Sequence, residues 1–119
     1  MSIRTQYVRD VAATIAASGN LSAAVNISGA FSLVAIKYPA AWDAAGIAFQ
    51  VSLDGIDWEI LRDDVGNEIA KTVTAGQFRE LDSSEFKSAI WLKIRSGTSA
   101  APVTQTAERI FTLYSRRYA

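Results

Sequence analysis

Apolar and polar residues alternate along several short stretches of this chain, with the two-residue period that is typical of β-strands. The clearest stretch is residues 90–96, where Ile90, Leu92 and Ile94 are predicted to face inward and Trp91, Lys93 and Arg95 outward. Residues 21–27 and 47–53 alternate in the same way, with inward positions at Leu21, Ala23, Val25, Ile27, Ile47, Phe49 and Val51. Residues 31–38 are apolar on both faces, which predicts a central strand with Phe31, Leu33 and Ala35 on one side.

Turn signals separate these stretches at short intervals. Asp54-Gly55 predicts a tight hairpin between residues 47–53 and 58–62, and Gly66 takes a position that favours positive φ. Asp82 has the chemistry of a helix N-cap and predicts one helical turn within residues 82–89. Further strands are predicted at residues 13–17, 68–74, 78–81 and 109–115.

The spacing of strands and turns predicts an all-β fold. We expect one domain over residues 1–119, an antiparallel β-sandwich of about eight strands, with a jelly roll as one form of it. Residues 1–12 are predicted to be an extended arm or a first edge strand. Residues 115–119 are predicted to be a basic tail.

Composition excludes several classes of function. The 119 residues include no Cys and no His, so disulfides, thiolate zinc sites and a Ser-His-Asp triad are excluded. Twelve basic residues balance twelve acidic ones, which argues against a nucleic-acid partner. The sequence has no apolar run long enough to cross a membrane and no signal-peptide core at its start, so we expect synthesis in a cytoplasm and no membrane partner.

The balanced charges are unevenly distributed along the chain. Seven acids and one base lie between residues 43 and 68, whereas six bases and one acid lie between residues 87 and 119. Two arrangements are consistent with this distribution. The two segments pair within one monomer, or they pair between copies or with a complementary partner.

No group of residues singles out a catalytic centre. Twelve acids are present, and none is distinguished as a general acid or base, so we predict no enzyme activity, no catalytic residues and no cofactor. Asp54, Asp57, Asp63 and Asp64 lie in two successive turns and offer oxygen ligands for a cation. Aspartate is also a common turn residue, which is the interpretation we favour, so we predict no metal site.

The tryptophans Trp42, Trp58 and Trp91 are the candidates for stacking on sugars or anchoring an interface. Trp91 is flanked on its predicted outward face by Lys93 and Arg95, a combination that suits a subunit contact. The predicted interface therefore consists of Trp91, Lys93, Arg95, Arg116 and Arg117. The alternative is that a loop of the same chain covers this face.

The middle of the chain carries a recognisable order of segments. Residues 49–58 read FQVSLDGIDW, followed by Leu61, Asp63 and Gly66; PAAWDAA precedes them at 39–45, and IRSGTS at 94–99 and Gln105 follow. Together these segments resemble small β-sandwich proteins that are encoded among the structural genes of tailed bacteriophages and prophages. The resemblance covers residues 14–115. It implies a place on a phage particle and brings no catalytic residues.

The function expected from this resemblance is that of a non-enzymatic structural component of a tailed-phage virion, assembled in the host cytoplasm. Within the virion we expect a capsid-associated decoration or head-spike protein that binds the major capsid protein, as a homo-oligomer or as lattice-bound copies. One alternative is a tail, neck or baseplate component. Another is a carbohydrate-binding module on a particle or cell surface.

Overall fold

The computed structural model describes residues 6–27 and 32–118, and in them nine strands form two antiparallel sheets. The strands are β1 (Gln6–Ile15), β2 (Val25–Asn26), β3 (Ser32–Lys37), β4 (Gly46–Ser52), β5 (Glu59–Ile60), β6 (Ala70–Thr72), β7 (Phe78–Glu80), β8 (Trp91–Ser96) and β9 (Arg109–Tyr118). A short 3₁₀ helix, η1 (Ser83–Phe86), connects β7 to β8. No helix in the described ranges is long and apolar enough to cross a membrane.

The strand order is that of a jelly roll with one added strand. Sheet one has the order β1-β9-β3-β7, and sheet two has the order β2-β8-β4-β5. The added strand β6 pairs with the same edge of β4 as β5 does, one beyond the other. Without β6, successive strands β1 to β4 alternate between the sheets, and β7 to β9 alternate back, as in an eight-stranded jelly roll. The predicted all-β antiparallel sandwich is confirmed.

The core lies between the two sheets and follows the period of the central strands. In β8, Leu92 and Ile94 have no exposed surface, as the alternation of this segment predicts. Phe49 and Phe111 contribute the largest fully buried side chains. Burying one side chain of this size stabilises the fold by about 1.5–3 kcal/mol.

Both chain ends that the structure describes belong to sheet one. β1 and β9 form an uninterrupted ladder of Cα partners from Gln6↔Tyr118 to Ile15↔Arg109. Residues 6–12 are thus in the first edge strand, one of the two predicted forms of residues 1–12, and residues 1–5 lie outside the described range. The predicted basic tail is wrong for residues 115–118, which are in β9; Ala119 is outside the described range. The charged residues at this end of the chain do not show the pattern of a strand, but the ladder with β1 supplies the backbone hydrogen bonds of one.

Residues 21–27 form a much shorter strand than predicted. Only Val25 and Asn26 pair as β2, Ser22 is buried, and Ala23 is exposed, so the inward position predicted for Ala23 is wrong. The reason is a side chain that takes part in the pairing. The Ser22 backbone N–H donates to the Ile94 carbonyl, and the Ser22 hydroxyl accepts from the Ile94 N–H at 2.8 Å. This pair of hydrogen bonds, one of them to a side chain, replaces a regular backbone pair between the two strands.

A β-bulge in β3 changes the predicted faces of that strand. Its register against β9 shifts between Leu33 and Ala35, so that Leu33 pairs with Ser115 and Ala35 with Tyr114. Leu33 therefore faces the core, while Ala35 lies on the opposite face of sheet one. Ile36 returns to the core. The prediction that β3 is central is confirmed, because it lies between β9 and β7; Phe31 lies outside the described range.

The turn chemistry predicted from sequence is confirmed. β4 and β5 form the expected hairpin, with Gln50 opposite Ile60, and Gly55 in its turn has φ of 78°. Gly66 has φ of 92° in the following turn. Asp82 caps η1, where its side chain accepts a hydrogen bond from the Ser84 N–H.

Candidate interaction surfaces

The five residues predicted to form one interface lie on two different sheets. Trp91, Lys93 and Arg95 are half-buried on the outward face of β8 in sheet two. Arg116 and Arg117 are in β9 of sheet one, where Arg116 is exposed and Arg117 is half-buried. Because the sheets form opposite layers of the sandwich, the structure does not bring the five residues into one patch.

The outer face of sheet two is partly covered by its own chain. The Asp54-Gly55 turn lies against the indole of Trp91, so closely that a Cβ on Gly55 would be 3.2 Å from Trp91 Nε1. Lys93 Nζ is 4.3 Å from the ring centroid of Trp58, a cation–π contact. Arg95 Nη1 donates to Asn20 Oδ1 at 3.1 Å. Each of the three predicted residues on β8 thus has a partner within the chain.

The turn that covers Trp91 is held by one carboxylate. Asp54 Oδ1 accepts hydrogen bonds from the Asp57 N–H at 2.9 Å and the Ile56 N–H at 2.8 Å. The Ser52 hydroxyl donates to the same oxygen at 3.0 Å. The two backbone donors and this hydroxyl stabilise the ionised form and lower the pKa of Asp54 to about 2.

The other turn carboxylates also bind their own backbone. Asp63 Oδ1 accepts from the N–H groups of Asn67 and Val65, and these bonds lower the pKa of Asp63. In residues 6–27 and 32–118, no three carboxylates come together in a group that could hold a metal ion. Asp54, Asp57, Asp63 and Asp64 thus do not form such a group, and the contacts of Asp54 and Asp63 are those of turn residues.

The outer face of sheet one is open, and its side chains are arranged in regular rows. The registers of β1, β9, β3 and β7 place side chains in rows across the strands: Val8, Arg116 and Ser32 in one row, Asp10, Tyr114, Ala35 and Glu80 in the next, then Ala12, Thr112, Lys37 and Phe78. A groove of about 770 Å³ lies over this face, and Val8, Phe78, Glu80, Tyr114 and Arg116 line it. We call it the sheet-one groove.

Two aromatic rings dominate the sheet-one groove. Phe78 on β7 and Tyr114 on β9 have ring centroids 5.4 Å apart, with their planes inclined at 55°. They meet over β3, where the bulge places Ala35, whose side chain is 2% exposed. Phe78 is 55% exposed, a high value for an aromatic residue. The small side chain of Ala35 lets both rings approach above the central strand.

Three charged residues line the sheet-one groove: Glu80, Arg116 and Arg117, of which Arg117 has a partner. Glu80 and Arg116 make no hydrogen bond or ion pair with another described residue. In contrast, Lys37 on the same face donates to the Gly76 carbonyl at 2.6 Å. The groove with its aromatic floor therefore offers the carboxylate of Glu80 and the guanidinium of Arg116 without a partner among the described residues, beside the engaged Arg117.

A buried polar cluster that the sequence pattern did not predict fixes one end of the sandwich. Gln105, with no exposed surface, donates to Ser96 Oγ at 2.9 Å and accepts from the Asp43 N–H and from Arg109 Nε, both at 3.0 Å. Arg109 Nη2 also pairs with Asp43 Oδ1 at 3.3 Å. Each of these hydrogen bonds and the ion pair joins two residues of the same chain, so we expect the cluster to stabilise the fold. No local pattern marks Gln105, because its partner Asp43 lies 62 residues away along the chain.

The comparisons with known proteins give a fold and no family. No protein-family model matches the sequence, and no curated protein matches it. One solved structure shares the fold: that of the SPBc2 prophage-derived protein YomS. The two structures superpose with a TM-score of 0.51 over 97% of this chain and 96% of YomS, at 11% sequence identity. The similarity confirms that the sandwich is a fold found in a prophage-derived protein, as the sequence resemblance implied.

Proposed function

We propose that this chain is a non-enzymatic structural component of a tailed-phage virion, and within the virion a capsid-associated decoration or head-spike protein. The observation that carries the proposal is the shared fold with a prophage-derived protein, which extends over nearly the whole of both chains. The segment order at residues 39–66 and 94–105 gives independent support from sequence. Fold alone does not define function, so the proposal requires a direct test.

The distribution of polar contacts is consistent with a structural role. The four carboxylates with shifted pKa values, Asp43, Asp54, Asp63 and Asp82, are all shifted downward by hydrogen bonds. A general acid needs the opposite shift, a carboxyl pKa raised toward neutrality. These four groups hold turns, a helix cap and the end of the sandwich, and they offer no proton to a substrate near pH 7.

Zero net charge is suited to a protein present in many copies on one particle. Twelve positive and twelve negative groups leave no long-range repulsion between neighbouring copies. The expected partner is the major capsid protein, with copies that associate with each other or with the shell lattice. Assembly takes place in the host cytoplasm.

Counting copies on purified particles tests the proposal. Particles from the source are separated on a density gradient, and quantitative mass spectrometry compares this chain with the major shell protein in the particle band. Tens to hundreds of copies, in a fixed ratio to the shell protein, are expected for a capsid auxiliary protein. A few copies per particle would instead indicate a tail, neck or baseplate component.

Absence from the band would overturn the virion proposal. A matched control keeps that outcome interpretable: an abundant soluble host protein, followed through the same gradient, reports contamination. The chain must be enriched over this control in the particle band to count as a component.

A further inference from the structure

We propose that the sheet-one groove is a binding site for an uncharged oligosaccharide. The proposal rests on the geometry of this face and is independent of the virion role. The groove has a volume of about 770 Å³, within the roughly 300–1,000 Å³ of ordinary ligand pockets. It lies over the outer face of sheet one, with lining residues from β1, β9, β3 and β7.

The ring pair supplies the apolar part of the site. A pyranose ring presents a face of C–H groups, which packs against an aromatic ring with little loss of hydration from its hydroxyls. Phe78 is more than half exposed, and Tyr114 brings a phenol hydroxyl to the same floor. Exposing a Phe ring to water has a free-energy cost, and a sugar stacked on Phe78 would remove that cost.

The free charges supply the polar part. Carboxylate oxygens accept from two adjacent sugar hydroxyls, and a guanidinium donates to hydroxyl and ring oxygens in a planar fork. Glu80 and Arg116 lie on opposite sides of β3 and have no partner among the described residues. Both are therefore free to bind without first breaking an internal ion pair.

The charge balance of the groove selects the class of ligand. The net charge of the groove is small, because Glu80 lies there with Arg116 and Arg117, and Arg117 already has a partner. Neither a polyanion such as nucleic acid, which needs a row of free bases, nor a strongly cationic peptide is complementary to the site. A neutral, hydroxyl-rich chain matches a surface with both hydrogen-bond acceptors and donors on either side of an aromatic floor. This location also differs from Trp58 and Trp91 on the sheet-two side, which the sequence offers as candidates for stacking on sugars or anchoring an interface.

A binding experiment on the full chain tests the site. The protein is applied to an array of neutral and acidic oligosaccharides, and the dissociation constant of the best neutral ligand is measured by titration calorimetry. We expect binding to neutral glycans. Phe78→Ala and Glu80→Gln should each weaken that binding at least tenfold. Thermal unfolding of each variant checks that the fold is retained, which is expected because both residues are exposed on the edge strand β7.

Two controls locate the site. Ile56→Ala removes an apolar side chain that is 79% exposed in a sheet-two turn, and affinity should not change. Trp58→Ala tests the sheet-two face in the same way. Absence of binding to neutral glycans, binding that survives both groove variants, binding lost only with Trp58→Ala, or self-association through the groove would overturn the proposal.

Discussion

At the scale of single residues, carboxylates that hold backbone donors make this sandwich sensitive to acid. Asp54 is the clearest case, because three hydrogen bonds to one oxygen keep it ionised when ordinary aspartates begin to protonate. Its pKa is about 2 in the folded chain, against 3.8 for an unperturbed aspartate. The ionised Asp54 therefore favours the folded state above about pH 4, and this contribution disappears as the pH falls toward 2.

Replacing Asp54 with Ala should make the stability of the protein depend less steeply on pH between about pH 4 and pH 2. The wild-type melting temperature should fall between about pH 4 and pH 2 more steeply than that of Asp54→Ala, whose turn is already weakened at pH 7. Differential scanning fluorimetry across this range measures the difference. Asp64→Asn is the matched control, since Asp64 is an exposed turn carboxylate that accepts no hydrogen bond from the described residues. Equal slopes for wild type and Asp54→Ala would contradict the argument.

Gln105 is the residue whose loss should cost most among the polar side chains. Its amide binds Ser96, Asp43 and Arg109 in a site without solvent exposure, so Gln105→Ala leaves several donors and acceptors unsatisfied. We expect a loss of roughly 2–4 kcal/mol in the free energy of unfolding, measured by urea denaturation. Gln77→Ala, at an exposed glutamine, should change it by less than about 0.5 kcal/mol. Similar values for the two variants would show that the cluster is not a stabilising unit.

At the scale of elements, the edge strand β1 has two different sides. The Thr14 carbonyl accepts from Ala23 outside the ladder, so the even-numbered residues of β1 direct their backbone groups away from β9. Val11 therefore bonds to β9, whereas Ala12 faces the open edge. Proline is tolerated on an edge strand only where its missing N–H points to solvent.

A pair of proline substitutions tests this assignment. Val11→Pro removes a backbone hydrogen bond to β9, whereas Ala12→Pro does not. Val11→Pro should therefore lower the free energy of unfolding by about 1–3 kcal/mol more than Ala12→Pro, once the effect of losing the Val11 side chain, measured with Val11→Ala, is subtracted. Chemical denaturation of the three variants provides the comparison. If Ala12→Pro is the more damaging change, β1 has the opposite orientation in its ladder.

Sequence patterns predicted those elements whose cause is local. The Asp54-Gly55 turn, the positive φ at Gly66 and the Asp82 cap each depend on a few adjacent residues, and all three are present. The bulge in β3 was not predictable, because it depends on how β9 lies against that strand. This one shift moves Ala35 to the outer face, so the floor of the sheet-one groove was not predictable either.

At the scale of the whole molecule, the sandwich presents two unlike faces. The outer face of sheet two carries Trp91, Lys93 and Arg95, which its own turns partly cover. On the outer face of sheet one, Glu80 and Arg116 have no partner among the described residues, and they lie near the exposed ring of Phe78. Of the two charge arrangements consistent with the sequence, pairing within the monomer accounts for little. Among the described residues, Asp43–Arg109 is the one ion pair that joins the acidic middle to the basic end. The other charged groups of these two segments form no ion pair with each other among the described residues.

The two proposals together predict that the outer face of sheet one binds glycans and that the outer face of sheet two contacts the shell. If sheet one binds glycans away from the particle, the opposite face, with the predicted interface residue Lys93, is directed toward the shell. Lys93→Glu should then lower the number of copies per particle and leave glycan affinity unchanged, because it reverses a charge on sheet two only. Phe78→Ala should have the converse effects. Copy number by mass spectrometry and affinity by calorimetry are measured for both variants, with melting temperature as the control for folding. Loss of particle binding in Phe78→Ala would instead assign the sheet-one groove to the shell contact.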